Sequence, residues 1–392
     1  MVEYKNLEEF AKCEVTKNRL HISENAYSIT QNGLVPTKEF FKEKTHVTSS
    51  DTSGYYIVEK NWFVYSPSRI DVGSINYLRV EGPVIVSPMD VVFSIDENKC
   101  TPAYLLHFLL SHKGMKELLR RREGVEGTGR RNLPFKYISS IKIPLPSIDE
   151  QIDLVNKLDT FTTLITKLDE EIELRQKQLE YYRDEILRFE NDEEIDWITL
   201  DEIKLTLKTG LNPRQNFKLN TDGATIPYVT GKEIFNNRIN ITDKTDKIDA
   251  KALALINRRA CLEDNLLLFA STGCSTVGRM AVVDKYNGDW AISETLYAIK
   301  FRKDINPVFI MHSLYADVMK KQYENKISRG SVPHLKVADL LKVKIPLCSP
   351  QKQERVVAKL DAFTSLISKL QEERDLRQKQ YEYYREKLLT FE

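Results

Sequence analysis

The sequence predicts an α+β protein in which two globular mixed α/β domains are separated by two long repeated helices. The helices are expected to form an antiparallel coiled coil with pseudo-two-fold symmetry. Three observations predict this fold. Residues 143–190 match residues 345–392 at a constant offset of 202, with 29 identities in 48 positions. Both copies carry apolar residues at helical spacing, and the segments that precede them share an order of strand-like and helix-like runs.

The two globular domains share this order of elements rather than a sequence. A strand-like run over residues 63–66 leads into a small-residue loop around Gly73, and residues 268–273 lead into a similar loop around Gly278. A second apolar run follows each loop, at residues 83–87 and 290–293. Pro102 and Pro307 then begin amphipathic segments, because proline suits the first turn of a helix. One mixed fold used twice explains this order.

The repeated tails are predicted to be helices of about forty residues, roughly 60 Å long at 1.5 Å per residue. Their apolar residues occupy heptad positions a and d, as in a coiled coil. In the first copy the a positions are Leu158, Ile165, Ile172, Leu179 and Ile186, and the d positions are Leu154, Phe161, Leu168, Arg175, Tyr182 and Phe189. In the second copy the a positions are Leu360, Ile367, Arg374, Tyr381 and Leu388, and the d positions are Val356, Phe363, Leu370, Arg377, Tyr384 and Phe391. We expect the helices to pair with each other; packing of each on its own preceding domain is the alternative.

These features divide the 392 residues into four segments. Residues 1–142 form the first globular domain, and residues 143–190 form the first helix with its proline-containing lead-in. Residues 191–344 contain an acidic linker and the second globular domain. Residues 345–392 form the second helix with its lead-in.

Composition places the chain among globular proteins. It is 41% hydrophobic and 29% charged, with 15 glycines and 14 prolines, which excludes fibrous and disordered classes. No apolar run approaches the ~20 residues that span a bilayer, and the N-terminal residues lack a signal-peptide pattern. The five cysteines include no C-x-x-C pair, so we expect reduced and mostly buried thiols. These patterns indicate a cytoplasmic protein.

Charge is segregated along a chain whose net charge is only +1. Residues 111–142 carry nine basic and three acidic groups, and residues 197–344 sum to +7. Each domain ends in a basic stretch that contains glycine, residues 127–133 and 328–335. Basic clusters of this kind suit contact with phosphates, and a solvated helix face is the alternative. Recurrence in both halves favours nucleic-acid binding.

The sequence lacks the common motifs of catalysis. The catalytic loop of an adenine or cytosine-N4 methyltransferase requires two adjacent prolines, and this sequence has no such pair. Neither a G-x-G-x-x-G loop nor a Walker A loop is present, and the six histidines show no metal-ligand spacing. Ser271 and Ser275 lack the context of a hydrolytic nucleophile. We therefore expect no catalytic, cofactor-binding or metal-binding residues in this chain.

The repeated lead-in and helix resemble those of the specificity subunits of type I DNA restriction–modification systems. The resemblance is carried by Ile-Pro-Leu-Pro at residues 143–146 with Gln151, and by Ile-Pro-Leu-Cys at residues 345–348 with Gln353. The second copy departs from the pattern at Cys348 and Lys352. The resemblance covers essentially the whole chain and is less specific in the globular domains. It implies two target-recognition domains that alternate with two spacer helices.

The resemblance also implies a function that is not catalytic. Each domain would read one half of an asymmetric bipartite DNA target, with half-sites one turn (~34–36 Å) apart held at a fixed spacing by the helices. The implied partners are double-stranded DNA, two methyltransferase subunits and restriction–translocase subunits. S-adenosylmethionine would be bound by the methyltransferase, and ATP and Mg by the restriction partner. A self-contained methyltransferase or nuclease and a coiled-coil scaffold that does not bind DNA are the alternatives.

Candidate functional residues lie beside the small-residue loops, at the domain–helix junctions and on the helices. For DNA, contacts to phosphates and to bases are equally expected. The DNA-binding candidates are Arg69, Ser74, Asn76, Arg130, Arg131, Arg214, Lys232, Ser275, Arg279, Arg329 and His334. The partner-binding candidates are Arg175, Tyr182, Arg377 and Tyr384. A surface ion pair is the alternative for Arg279. Arg175 and Arg377 are expected to face a partner or an acid across the seam, with snorkelling along the stripe as the alternative.

Overall fold

The computed structural model describes residues 2–30, 33–40, 51–123, 133–189, 195–328 and 330–391. The chain forms two compact units, Met1–Lys167 with Glu373–Glu392 and Leu168–Glu372. We call these the first and second units. Each unit combines one globular domain with half of each long helix, so the units cut across the four segments that follow the chain.

Helices and short strands alternate along both units. The helices are α1 (Thr37–Phe40), α2 (Pro102–Leu110), α3 (His112–Glu123), α4 (Phe135–Ile138), α5 (Ile148–Leu187), α6 (Leu200–Ile203), α7 (Pro213–Asn216), α8 (Ala250–Arg259), α9 (Pro307–Tyr315), α10 (Asp317–Glu324), α11 (Val337–Leu341) and α12 (Pro350–Leu388). The strands of the first unit are β1 (Glu3–Asn6), β2 (Ala11–Glu14), β3 (Tyr27–Thr30), β4 (Gly33–Pro36), β5 (Tyr56–Val58), β6 (Phe63–Tyr65), β7 (Ile75–Tyr77), β8 (Val84–Val86), β9 (Val91–Ile95) and β10 (Lys142–Leu145). Those of the second unit are β11 (Asp196–Thr199), β12 (Lys204–Thr209), β13 (Ile226–Val229), β14 (Ile234–Phe235), β15 (Arg238–Ile239), β16 (Lys247–Ile248), β17 (Leu267–Ala270), β18 (Met280–Val282), β19 (Ala291–Ile292), β20 (Leu296–Phe301) and β21 (Lys344–Leu347).

The first unit is built on a four-stranded antiparallel sheet in the order β2-β9-β6-β7. Phe63 and Phe93 are paired across this sheet, and their rings stack with centroids 4.9 Å apart. Helix α2 begins at Pro102, and the Thr101 side chain accepts a hydrogen bond from the first turn. Its buried residues share one apolar cluster with Phe93 and with Leu158 of α5. The core therefore joins the domain to the long helix.

The second unit repeats this plan with the sheet order β12-β20-β17-β18. Helix α9 begins at Pro307, and the Asn306 side chain accepts hydrogen bonds from the next two backbone amides. The apolar cluster that contains Phe269 of β17 also contains Leu360 of α12. The prediction of one mixed fold used twice is confirmed by this shared order of strands and helices.

Each long helix is preceded by a strand that contains the Ile-Pro-Leu lead-in. β10 pairs antiparallel with β1, and β21 pairs antiparallel with β11. Proline is tolerated here because each sheet has only two strands, so the missing N–H lies at an edge. The first strand of each globular domain therefore returns the chain to the start of a long helix.

A buried glutamine ties the first turn of each long helix to its domain. The Gln151 side chain donates to the carbonyl oxygens of Lys99 and Pro146 (both 3.0 Å) and accepts from the amide of Thr101 (2.8 Å). Gln353 accepts from the amide of Asn306 (2.8 Å) and donates to the carbonyl oxygens of Asp304 (3.2 Å) and Cys348 (2.9 Å). The two glutamines are 202 positions apart and make equivalent bonds.

The two long helices run antiparallel within each unit. In the first unit, Phe161 of α5 stacks on Tyr384 of α12, with ring centroids 5.4 Å apart. Tyr4 pairs with Pro144 of β10, just before the start of α5, and its hydroxyl donates to the carbonyl oxygen of Phe391 near the end of α12 (3.0 Å). In the second unit, Tyr182 stacks on Phe363 at 5.3 Å, and the Lys352 ammonium lies 5.1 Å from the Phe189 ring centroid. The expected antiparallel pairing is confirmed.

Each half-helix also packs on a globular domain, so both packing alternatives contribute. Leu158 and Leu360 at a positions are fully buried, and both share clusters with sheet residues. Burial of such a side chain contributes about 1.5–3 kcal/mol. A helix stripe covered by a second helix and by a sheet is thus stabilised from two sides.

The cysteines depart from expectation. All five are free thiols, but Cys13, Cys261 and Cys274 are exposed, and only Cys100 and Cys348 are buried. The prediction of mostly buried thiols is therefore wrong, because the exposed three lie on an edge strand and in surface loops. In the part of the chain that the structure describes, no helix is both long and apolar enough to cross a membrane.

Candidate nucleic-acid interface

The second unit contains a broad groove of about 1050 Å³, which we call the second-unit groove. It is bordered by the start of α7, the turn after β13, the loop after β17 and the residues after β19. Three of the DNA-binding candidates, Arg214, Lys232 and Ser275, line it together. All three are exposed. Residues that are 61 positions apart in sequence thus share one surface.

Arg214 is positioned by the cap of a short helix. The Asn212 side chain accepts a hydrogen bond from the Arg214 amide (2.9 Å), and Pro213 occupies the first helical position. Asparagine at a cap and proline just after it favour this helix start. Just before the cap, a Cβ on Gly210 would lie 1.8 Å from the carbonyl oxygen of Ile292, so only glycine allows this close approach. The cap leaves the Arg214 guanidinium at the groove.

Lys232 is presented by a turn that a carboxylate holds closed. The Glu233 carboxylate accepts from both the amide and the hydroxyl of Thr230 (2.8 Å each), and the same hydroxyl accepts from the Lys232 amide (3.2 Å). The Glu233 charge is therefore engaged within the turn. Lys232 itself is exposed and is free to contact an anion in the groove.

Ser275 lies on the loop over residues 271–279, which is anchored to the end of the domain. Gly273 has φ 122° and donates its N–H to the carbonyl oxygen of Pro333 (3.0 Å). The Thr272 hydroxyl lies 2.9 Å from Nδ1 of His334. His334 is thus half-buried and holds the loop in place, while Ser275 stays exposed at the groove.

Sequence reasoning missed two further basic residues of this groove. Lys218 and Lys244 line it and are exposed, so that four cationic side chains surround it. The net charge of +7 over residues 197–344 was the available signal, but charge alone does not say which lysines converge. The acidic residues that line it include Asp246 and Glu294.

The floor of the groove includes a hydrogen-bonded tyrosine. The buried Tyr228 hydroxyl donates to the carbonyl oxygen of Leu211 (2.7 Å) and lies 2.9 Å from the Glu294 carboxylate. Burial raises the pKa of Tyr228 above its usual value, and the neighbouring Glu294 charge raises it further. The phenol therefore stays protonated and acts as a hydrogen-bond donor.

Arg279 lies outside this groove. Its Nη1 donates to the carbonyl oxygen of Ile234 (3.1 Å), and the side chain is half-buried. It lines two neighbouring cavities together with Arg183. In this structure Arg279 contacts the β14–β15 hairpin, and its contact with DNA stays a prediction.

In the first unit the small-residue loop presents only one of its three candidates. Arg69 is exposed, whereas Ser74 is fully buried and Asn76 is 8% exposed. The Asn76 side-chain oxygen accepts hydrogen bonds from the Tyr77 amide and from the Arg79 guanidinium (2.9 Å each). Ser74 and Asn76 are therefore placed inside the domain, because the chain turns inward to form β7. Neither side chain is available to DNA in this structure.

Three further candidates, Arg130, Arg131 and Arg329, lie outside the described residues. Among the residues that are described, no group of three or more His, Cys, Asp or Glu side chains is arranged to hold a metal ion.

The partner-binding candidates on the helices make contacts within their own unit. Arg175 bonds to Glu171 and Gln178 of its own helix (2.8 Å each), and Arg377 bonds to Glu373 (2.8 Å) and Gln380 (2.9 Å) in the same way. These contacts include no acidic residue of the other helix. Each arginine instead binds a glutamate and a glutamine that lie three or four residues away on its own helix. Tyr182 and Tyr384 lie in the helix–helix stacks.

Comparison with known proteins agrees with this architecture. The family described as type I restriction modification DNA specificity domain matches residues 2–174 and 193–377. The specificity subunit of the type I restriction enzyme EcoR124I/EcoR124II of Escherichia coli is 29% identical over 325 residues, which are 78% of this chain and 74% of that protein. A putative type I restriction enzyme specificity subunit of Haemophilus influenzae is 25% identical over 284 residues, 68% of each chain.

Two solved structures share the fold. The crystal structure of the type I restriction–modification S subunit from M. genitalium has a TM-score of 0.54 at 14% identity and covers 100% of this chain and 97% of that one. A chain from a study of complex assembly and conformational transition in the type I restriction–modification system has a TM-score of 0.55 at 15% identity, covering 99% and 97%.

The duplicated sheet-and-helix units and these comparisons place the chain in a class of DNA specificity proteins. The chain belongs to the type I restriction–modification DNA specificity family. It is a specificity subunit, the non-catalytic DNA-recognition component of a restriction–modification complex.

Proposed function

We propose that this specificity subunit reads an asymmetric bipartite DNA target, one half with each globular domain. The second-unit groove carries the proposal, because four basic side chains (Arg214, Lys218, Lys232 and Lys244) converge on it from separate segments. Cations around a concave surface attract phosphates, and arginine can also read guanine in the major groove. In the first unit, Arg69 and the basic stretch that contains Arg130 and Arg131 are the proposed contacts.

The asymmetry of the target follows from the difference between the two domains. Their sheets have the same strand order, but the surfaces above them carry different residues. The loop that presents Ser275 beside the groove corresponds to a loop in the first unit that presents Arg69 and buries Ser74. Unlike surfaces on a common scaffold select unlike half-sites.

A fixed spacing is proposed from the long helices. α5 and α12 have 40 and 39 residues, and each supplies residues to both units. At 1.5 Å per residue each helix is roughly 60 Å long, which exceeds the ~34–36 Å between half-sites one turn apart. Rigid helices of that length are suited to set the number of base pairs between half-sites.

Recruitment of two methyltransferase subunits, and of restriction–translocase subunits, is the second part of the proposal. Exposed apolar residues recur on the helices at equivalent positions: Leu174 and Leu376 (60% and 61% exposed), and Tyr181 and Tyr383 (62% and 61%). Two copies of one patch suit two copies of one partner. S-adenosylmethionine would be bound by the methyltransferase, and ATP and Mg by the restriction partner. We propose that the complex works in the cytoplasm, where its DNA lies.

The test is to co-express the chain with its methyltransferase and to map methylated adenines by sequencing. We expect a two-part motif with a constant gap. Exchange of residues 1–142 for the corresponding domain of another specificity subunit is expected to change one half of the motif, and exchange of residues 191–344 the other half. A change in both halves after a single exchange would refute modular recognition. Transfer of labelled methyl groups by the purified chain without a partner would support the alternative of a self-contained methyltransferase.

A further inference from the structure

Arg183 is a buried cation whose neighbouring acidic residues, Glu180 and Asp184, form no ion pair with it. Its side chain is 8% exposed, and its Nε has no hydrogen-bond partner. Among the described residues, no carboxylate oxygen lies within 4.0 Å of its guanidinium nitrogens. The guanidinium lies 5.2 Å from the ring centroid of Tyr315, which provides only a cation–π contact. Buried charges in proteins are normally paired, so this arginine is poised for a partner.

Arg183 lines a cavity of about 330 Å³ within the second unit, and also a neighbouring cavity that Asp184, Asp317 and Glu324 border. Arg279 also lines the first of these cavities, so two cations border it, and the described acidic residue in its lining is Glu180. The remaining wall includes polar groups of Gln176, Asn237 and Thr364. The lining therefore has a net charge of +1 and offers amide and guanidinium donors.

The repeat provides a comparison, because Arg385 is the residue 202 positions further on. Arg385 lies in the first unit, where its Nε is 3.6 Å from the Glu386 carboxylate and its guanidinium is 5.1 Å from the Tyr381 ring centroid. The residue equivalent to Glu386 is Asp184, whose carboxylate accepts a hydrogen bond from the Asp317 amide (2.8 Å). Glu386 accepts the equivalent bond from the His112 amide (2.7 Å). Both arginines have an Nε without a hydrogen-bond partner, and the difference is that Arg385 has a carboxylate within 4.0 Å whereas Asp184, shorter by one methylene, makes no such ion pair with Arg183.

We propose that the cavity beside Arg183 and Arg279 binds a carboxylate group, supplied by a small anion or by an acidic side chain of a protein partner. A planar guanidinium matches a carboxylate through two parallel hydrogen bonds. The lining charge of +1 suits a group with a single negative charge. In the other copy of the repeat, a carboxylate lies at ion-pair distance from the arginine, since the Arg385 Nε is 3.6 Å from Glu386 without a hydrogen bond between them.

The first experiment measures thermal unfolding of the full chain in sodium chloride and in sodium acetate at equal ionic strength. Acetate is expected to raise the midpoint of the wild type by about 2 °C, because it binds only the folded protein. Arg183→Met is expected to show no such rise. Its midpoint in chloride is expected to equal or exceed that of the wild type, because an unpaired buried charge has been removed. An equal acetate effect in both proteins, or none in the wild type, overturns the proposal.

A second variant keeps the proposal testable if Arg183→Met does not fold. Asn237→Asp places a carboxylate on the cavity wall with little change of shape. It is expected to raise the midpoint in chloride and to abolish the acetate response, whereas a full response in this variant would contradict the proposal. Arg385→Met is the matched control and is expected to lose stability while it keeps the acetate response.

Co-purification with the methyltransferase subunit distinguishes the two sources of the carboxylate. If the group belongs to a partner side chain, Arg183→Met and added acetate both reduce co-purification. If it belongs to a small anion, co-purification is unchanged while the thermal response to acetate persists. Neither measurement involves DNA, so failure of this inference is separate from failure of bipartite recognition.

Discussion

The ring of Tyr182 stacks on the ring of Phe363, with centroids 5.3 Å apart and planes inclined by 22°. The same contact occurs between Phe161 and Tyr384 at 5.4 Å, and each residue is related to its counterpart by the offset of 202. One stack lies in each compact unit. Antiparallel pairing of two nearly identical helices places each tyrosine against the phenylalanine of the other copy, so a single sequence solution is used twice.

The Tyr182–Phe363 stack is expected to stabilise the helix pair. Phe363→Ala removes a half-buried ring and leaves space beside Tyr182, so it is expected to lower the free energy of unfolding by about 2–4 kcal/mol. Urea denaturation followed by circular dichroism measures the change. Leu174→Ala on the exposed side of α5 is the control, with an expected change below about 0.5 kcal/mol. Equal losses in the two variants would show that the stack has no special role.

Gln353 is expected to be essential for docking of α12 on its domain. Gln353→Ala leaves the Asn306 amide and two carbonyl oxygens without their partner in a buried place, at an expected cost of about 2–4 kcal/mol. The control is Gln351→Ala in the same helical turn, because Gln351 is exposed. Comparison of the two midpoints in urea tests the prediction, and a neutral Gln353→Ala variant would argue against it.

The basic residues of the second-unit groove are expected to contribute to DNA affinity. Arg214→Ala and Lys232→Ala each remove one cation, so each is expected to weaken binding and to reduce the slope of log affinity against log salt concentration by about 1. Fluorescence anisotropy of the assembled methyltransferase complex, measured at several salt concentrations, provides the slope. Lys342→Ala, an exposed residue outside the groove lining, serves as the control and is expected to leave it unchanged. A similar slope in all three variants would show that the groove does not contact DNA.

Asp90 is expected to make the first unit less stable as the pH rises. Burial raises the pKa of Asp90 to about 7, well above its usual value of 3.8. Between these two pH values the folded state holds a proton that the unfolded state releases, so stability decreases with increasing pH. Asp90→Asn is therefore expected to have little effect at pH 4 and to stabilise at pH 8, by up to about 4 kcal/mol.

Unfolding in urea across this pH range measures the effect of Asp90. Asp96→Asn is the comparison, because Asp96 is expected to change stability with pH in the opposite direction. The pKa of Asp96 is lowered by its hydrogen bond with Lys99, so its stabilising contribution is present above the unfolded pKa and is lost as the pH falls. A pH dependence that Asp90→Asn leaves unaltered would rule out Asp90 as its source.

The elements that were predicted correctly depend on local patterns. The heptad spacing predicted α5 and α12, which extend over Ile148–Leu187 and Pro350–Leu388. Pro102 and Pro307 marked the starts of α2 and α9, because proline at a first helical position is a local signal. The offset of 202 predicted one fold used twice, since a repeated sequence repeats its structure.

The candidate site was predicted in part. Arg214, Lys232 and Ser275 were singled out from the sequence and line one groove. Lys218 and Lys244 were missed because nothing in their neighbouring residues distinguishes them from other surface lysines. Asn76 was placed at a surface because it follows a glycine loop, but strand β7 carries it inward to hydrogen-bond with Arg79.

The sequence by itself determined the repeat, the two long helices and their shared stripe, because periodicity and punctuation are properties of neighbouring residues. Only the tertiary structure decided which side chains meet. The groove is assembled from segments between Asn212 and Val332, and the sheet that brings them together depends on long-range strand pairing. Likewise, the repeat places an arginine at 183 and at 385, but packing alone leaves the first of them buried without an ion pair.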